Sequence, residues 1–122
     1  MRMLESEFKA KIIKDWKSKK VYDCIHCIES EETCPGFPDV LARDPETDKF
    51  TFYEFKVTDA KGYFKFTKDQ PRFYRLNPKM DIRLIVLDNR NDAFFVTDIK
   101  KVQPFIATKL RVNIDEVFDS QC

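Results

Sequence analysis

Between residues 4 and 19 the apolar side chains Leu4, Phe8, Ile12, Ile13 and Trp16 recur at helical spacing and form one stripe. Lys9, Lys11, Lys14 and Lys17 fall mostly outside that stripe. The segment VYDCIHCI (21–28) is β-prone and predicts a strand, and ESEETCPG (29–36) predicts a turn or loop. FPDVLAR (37–43) predicts a short strand, Asp44 to Asp48 a turn, and FTFYEFKV (50–57) the next strand, so the pair reads as a hairpin. Residues 58–66 read as an irregular basic loop. A helix follows to about Leu76, where Asn77-Pro78 ends it. IRLIVLD (82–88) is apolar almost throughout, the pattern of a strand buried on both faces. Asn89 to Asp92 predicts a turn and Ala93–Thr97 a further strand, after which helical and irregular signals mix. The order α-β-β-β-α-β-β predicts an α/β fold with a mixed central sheet flanked by helices.

Composition narrows the function classes. The chain has 122 residues, of which 43% are hydrophobic and 12 are Phe, so it is expected to fold as one domain over residues 1–122 rather than stay disordered. No apolar run approaches the roughly 18 residues that a bilayer-spanning helix needs. The charged start MRMLESEFKAK lacks the apolar stretch of a signal peptide, so a cytoplasmic protein with no membrane partner is expected. A virus-encoded protein acting inside a host cell fits the same expectation. With only Gly36 and Gly62, neither a Walker loop nor a dinucleotide fingerprint can be built.

The net charge of +1 hides a strong pattern. Residues 1–20 carry 7 Lys/Arg against 3 acids, residues 21–55 carry 2 against 9, and residues 56–83 carry 8 against 3. An acidic block is thus flanked by two basic ones. That distribution suits a site that holds a cation with carboxylates and a phosphate with lysines.

Strand alternation gives the acidic block its chemistry. In FTFYEFKV, Glu54 and Lys56 share one face, while Tyr53, Phe55 and Val57 take the other. If FPDVLAR pairs with this strand, Asp39 can sit beside Glu54. Two carboxylates so placed repel each other unless a cation lies between them. A hard divalent ion, Mg2+ or Mn2+, suits oxygen ligands of this kind, and the Phe55 backbone carbonyl is a further candidate ligand. Such an ion serves phosphodiester hydrolysis by activating water and offsetting phosphate charge, with Lys56 beside the water or the phosphate. On its own, Glu-x-Lys is equally the solvent face of an amphipathic strand.

Gly36-x-Pro38-Asp39 followed by Glu54-x-Lys56 resembles the signature of the PD-(D/E)XK nuclease superfamily. The resemblance spans residues 4–88 and comes nearest to the VRR-NUC group and the archaeal Holliday junction resolvases. It implies a restriction-endonuclease-like core and a magnesium-dependent endodeoxyribonuclease acting on branched or structured DNA, often as a homodimer. It also implies a Glu on the first helix aimed at the metal. Glu5 falls within the apolar stripe and Glu7 points away, so Glu5 is the candidate catalytic residue and metal ligand, although an acid there also favours the helix dipole. The family's polar residue at the start of the next helix corresponds to Gln70, placed to orient Lys56 or the phosphate. Thr67-Lys68-Asp69-Gln70 also reads as a capping box, and Asp69 as N-cap would suit Pro71.

Two more groups invite assignment. Lys61, Tyr63, Lys65, Lys68 and Arg72 follow the Glu-x-Lys strand and suit contacts to DNA phosphates, with Phe64 and Phe66 between them packed inward. Cys24, His26, Cys27 and Cys34 could ligate zinc, but alternation sets Cys24 and His26 on one strand face and Cys27 on the other, which favours buried cysteines. A second function class stays open: a non-catalytic nucleic-acid-binding or interaction module on the same fold, zinc-stabilised through these cysteines.

Overall fold

The pattern of IRLIVLD is explained by what covers it. In the computed structural model, which describes residues 2–28 and 34–118, this segment is a central strand with both faces packed. In chain order the elements are α1 (Glu5–Lys19), β1 (Cys24–Cys27), β2 (Val40–Asp44), β3 (Lys49–Val57), β4 (Tyr63–Lys65), α2 (Asp69–Leu76), β5 (Ile82–Asp88), β6 (Ala93–Asp98), α3 (Ile99–Ile106), β7 (Arg111–Asn113) and α4 (Ile114–Phe118). Five strands form one mixed sheet in the order β1-β2-β3-β5-β6. β1, β2 and β3 are an antiparallel meander. β5 lies parallel to β3 and β6 antiparallel to β5.

The sheet has a helix layer on each face. On one face α1 buries Phe8 and Ile12 against Val40, Ala42, Tyr53, Phe55, Ile85 and Leu87. The Phe8 and Phe55 rings meet edge to face at 5.8 Å. Burying an aromatic side chain of this kind contributes about 1.5–3 kcal/mol. On the other face Ile82, Leu84 and Val86 of β5 pack with Phe73 and Tyr74 of α2 and Ile99, Val102 and Ile106 of α3. The alternation along β5 therefore feeds two cores, as the unbroken apolar run implied.

The boundaries differ from the sequence reading at instructive places. The strand expected over 37–43 begins at Val40, so Asp39 stands just before the ladder rather than within it. The basic segment 58–66 is not wholly irregular: Tyr63–Lys65 pairs antiparallel with β7, a partner 46 or more residues away that no local pattern announces. The weak signals after Asp98 resolve into α3, β7 and α4. Residues 29–33 of the expected loop lie outside the described residues. Among the described residues no helix is long and apolar enough to cross a membrane.

One contact fixes where α1 starts. Asn89, just past β5, accepts a hydrogen bond from the Met3 N–H at 3.0 Å and donates to the Met3 carbonyl at 3.2 Å. Asn89 is itself held by Thr58, which accepts from the Asn89 N–H and side-chain amide. Thr58 follows β3 directly. The first turn of α1 is thus tied to the end of the strand that carries Glu54 and Lys56.

Candidate active site

Glu54 and Lys56 project from β3 on the face opposite α1, and both are buried. Val40 pairs with Tyr53, and one step further along that register brings Asp39 level with Glu54. Asp39 is fixed there by accepting the Phe55 N–H on Oδ2 at 3.0 Å. The carboxylate takes the place of a backbone acceptor beyond the end of the β2 ladder. The Phe55 carbonyl projects to the same strand edge as its N–H. Gly36 sets the approach to this point. Its φ is +85°, and a Cβ would lie 2.4 Å from the Asp69 carbonyl oxygen at the start of α2. Glycine is needed there for both its conformation and its size.

Burial and like charge set the protonation of the carboxylates. The Glu54 carboxyl is pushed well above the usual glutamate range, chiefly by desolvation and next by the neighbouring Asp39 carboxylate, with Lys56 acting against both. Glu5, an exposed residue at the cavity rim, is raised by partial desolvation, with Lys56 and Lys9 opposing and Asp39 adding. Glu7, by contrast, turns back to accept the Leu4 N–H at 3.1 Å and serves the helix start. Glu5 and not Glu7 therefore faces the site.

Among the described residues Lys56 makes no ion pair at contact distance, although its charge acts on Glu54 and Glu5. Its Nζ donates to Gln70 Oε1 at 3.0 Å and lies 4.9 Å from the centre of the Phe66 ring. Gln70 Oε1 also accepts the Thr67 N–H at 2.8 Å. The same oxygen thus closes the first turn of α2 and orients the lysine. The N-cap of that helix is Lys68, without a side-chain cap bond, rather than Asp69 or Thr67. Tyr74 completes the buried wall, and its hydroxyl is raised by desolvation and then by Glu54 and Asp39. Among the described residues only two buried side-chain polar atoms lack a hydrogen-bond partner, Glu54 Oε1 and the Tyr74 hydroxyl, and both belong to this site. Tyr74 and Glu54 are themselves neighbours, since an interaction between their side chains helps to raise the Tyr74 hydroxyl, so the pair is one under-satisfied contact that a ligand at Glu54 would complete.

A cavity of about 500 Å3 opens here, with Glu5, Lys9, Asp39, Thr67 and Gln70 in its wall. The oxygen donors and the orphaned Glu54 Oε1 fit a hard divalent cation held by Asp39 and Glu54. Glu5 lies in the same cavity wall and acts electrostatically on Glu54, while among the described residues no three His, Cys, Asp or Glu side chains are grouped to hold a metal ion. The same finding disperses the zinc set. Cys24 and Cys27 are exposed rather than buried, His26 is exposed, and Cys34 lies in the cavity wall instead of beside them.

The basic segment lies outside the cavity wall, as do Glu54 and Lys56 themselves. Lys61, Tyr63, Lys65, Lys68 and Arg72 are not in the cavity wall. Tyr63 lies under the Arg111 guanidinium at 3.8 Å. Phe64 and Phe66 are buried, as read from the sequence. The cation that does reach the cavity is Lys9, which the sequence offered only as one of several lysines off the apolar stripe. Tyr74 was missed because its aromatic position on α2 reads as ordinary core. Compared with models of protein families, with curated proteins and with solved structures, the chain matches none.

Proposed function

We propose that the chain is a metal-dependent endonuclease with a restriction-endonuclease-like core, which hydrolyses DNA phosphodiester bonds in branched or structured DNA. The observation that carries this reading is the half-buried Asp39 carboxylate beside the buried Glu54, with Lys56 next to them and held by Gln70. Asp39, Glu54 and the Phe55 carbonyl would hold Mg2+ or Mn2+. When bound, the ion lowers the pKa of a coordinated water and offsets charge that develops on the phosphate.

The chain's own residues supply the rest. Lys56 spends one N–H on Gln70, which leaves two for the attacking water and a phosphate oxygen. Glu5, in the cavity wall, would take the proton that the water gives up as its oxygen bonds to phosphorus, and the ester oxygen whose bond to phosphorus breaks would take a proton from solvent water. Gln70 holds Lys56 in place and touches no reacting atom. The exposed Phe94 and Val96 on the outer strand β6 are apolar surface suited to a homodimer.

The test is incubation with supercoiled plasmid and with a synthetic four-way junction, in Mg2+, in Mn2+ and in EDTA. Cleavage in either metal and none in EDTA is expected. Absence of cleavage on every substrate, or cleavage that persists in EDTA, overturns the reading. The second class, a non-catalytic nucleic-acid-binding module, predicts DNA binding without cleavage. The clustered carboxylates disfavour it, since they repel phosphate unless a cation intervenes.

A further inference from the structure

The face of α1 turned toward β1 carries a second depression. A groove of about 400 Å3 is lined by Lys9, Ala10, Ile13, Lys14, Lys17 and, from β1, Cys27. Lys9 belongs to the walls of both depressions, so the groove and the carboxylate cavity adjoin at that residue. A polymer leaving the cavity past Lys9 next meets Lys14 and Lys17.

The charge of the groove is compensated only at Lys9, whose ammonium acts on the Glu5 carboxylate. No acidic side chain lines it. Among the described residues none of Lys9, Lys14 and Lys17 has a carboxylate at ion-pair distance, whereas Lys19 on the same helix is paired with Asp15 at 3.2 Å. Ala10, Ile13 and the aliphatic stems of the lysines give the groove apolar walls, while the ammonium groups remain free to reach solvent or a ligand. From Lys9 to Lys17 the helix rises about 12 Å, which spans three to four nucleotides of a duplex strand at about 3.4 Å each.

We infer that this groove carries the sugar-phosphate backbone of the DNA whose scissile bond enters the carboxylate cavity. The inference rests on the proposed nuclease function for the identity of the polymer, and it moves the DNA path from residues 61–72 to the helix α1. An acidic protein segment has the same charge but gives no reason for the groove to open onto a carboxylate site.

Fluorescence anisotropy of a labelled four-way junction and a labelled short duplex tests this in EDTA, where cleavage cannot interfere. The Lys14→Glu/Lys17→Glu pair should weaken binding at least about tenfold at low salt. The milder Lys14→Gln/Lys17→Gln pair should lower the slope of log K against log salt by about 2, one phosphate contact for each lysine. Both should keep the circular dichroism of the wild type, and Lys61→Glu/Lys65→Glu should bind within about twofold of it. Unchanged binding by the groove variants, no DNA binding by the wild type, or tighter binding of a polyglutamate peptide than of DNA through the same lysines overturns the inference. Because the readout is binding in EDTA, the two claims fail separately. Cleavage without groove dependence removes this one alone, and groove-dependent binding without cleavage removes the nuclease alone.

Discussion

Lys56 Nζ and Gln70 Oε1 are 3.0 Å apart, and the same Gln70 oxygen accepts the Thr67 N–H. A single side chain joins the start of α2 to the lysine of the central strand. Replacing Gln70 by Ala strands a buried ammonium and should cost about 1–3 kcal/mol of stability. In the proposed enzyme it should also lower kcat by at least about tenfold, with KM little changed, because Gln70 acts only through Lys56. Steady-state kinetics and thermal melts check this. A KM effect alone would place Gln70 on the substrate instead.

Glu54 makes stability depend on pH with a definite sign. Its folded-state pKa is raised, so between the ordinary glutamate range and that raised value the folded chain binds the extra proton. The contribution of Glu54 is therefore favourable at acidic pH and declines as pH rises through this window. Glu54→Gln should raise the thermal midpoint near neutral pH in EDTA and flatten this decline. An equal or lower midpoint for the variant at neutral pH would contradict the assigned burial. Asp88 has the opposite sign. It is lowered mainly by its hydrogen bond to Arg90, and its contribution is lost as pH falls below the ordinary aspartate range.

Gly36 is constrained from two directions, by its positive φ and by the Asp69 carbonyl. Gly36→Ala should destabilise the fold by about 1–3 kcal/mol through strain and the displaced first turn of α2. Thermal melts measure the cost. A variant as stable as the wild type would mean that this loop is freer than described.

Asn89 ties Met3 to Thr58. Asn89→Ala should free the first turn of α1, with a loss of about 1–2 kcal/mol and faster amide exchange at Phe8, whose N–H bonds the Leu4 carbonyl. Unchanged exchange at Phe8 would show that the packing of Phe8 and Ile12 alone holds the helix start.

How far these features were legible differs by residue, for physical reasons. Period-2 alternation put Glu54 and Lys56 on one face, while the ladder ends at Val40 opposite Tyr53 and leaves Asp39 one step beyond it, on the Phe55 N–H. Helical phase separated Glu5 from Glu7; in the structure Glu5 lies in the cavity wall and Glu7 accepts the Leu4 N–H. The pairing of β4 with β7 was hidden because it depends on distant residues. The end of the β2 ladder was missed because Pro38 and Asp39 sit amid strand-like neighbours, and only tertiary contacts show that Asp39 caps Phe55. The groove on α1 needed β1 as its second wall, so a helical wheel could show its lysines only as scattered charges.

The most direct measurement is the initial rate of nicking of supercoiled plasmid in Mg2+ by the wild type and by Asp39→Ala at equal concentration. The account predicts a wild-type rate that vanishes in EDTA and falls by at least about a hundredfold in the variant, with DNA binding in EDTA retained. A variant that nicks as fast as the wild type, or a wild type that does not nick at all, would contradict it.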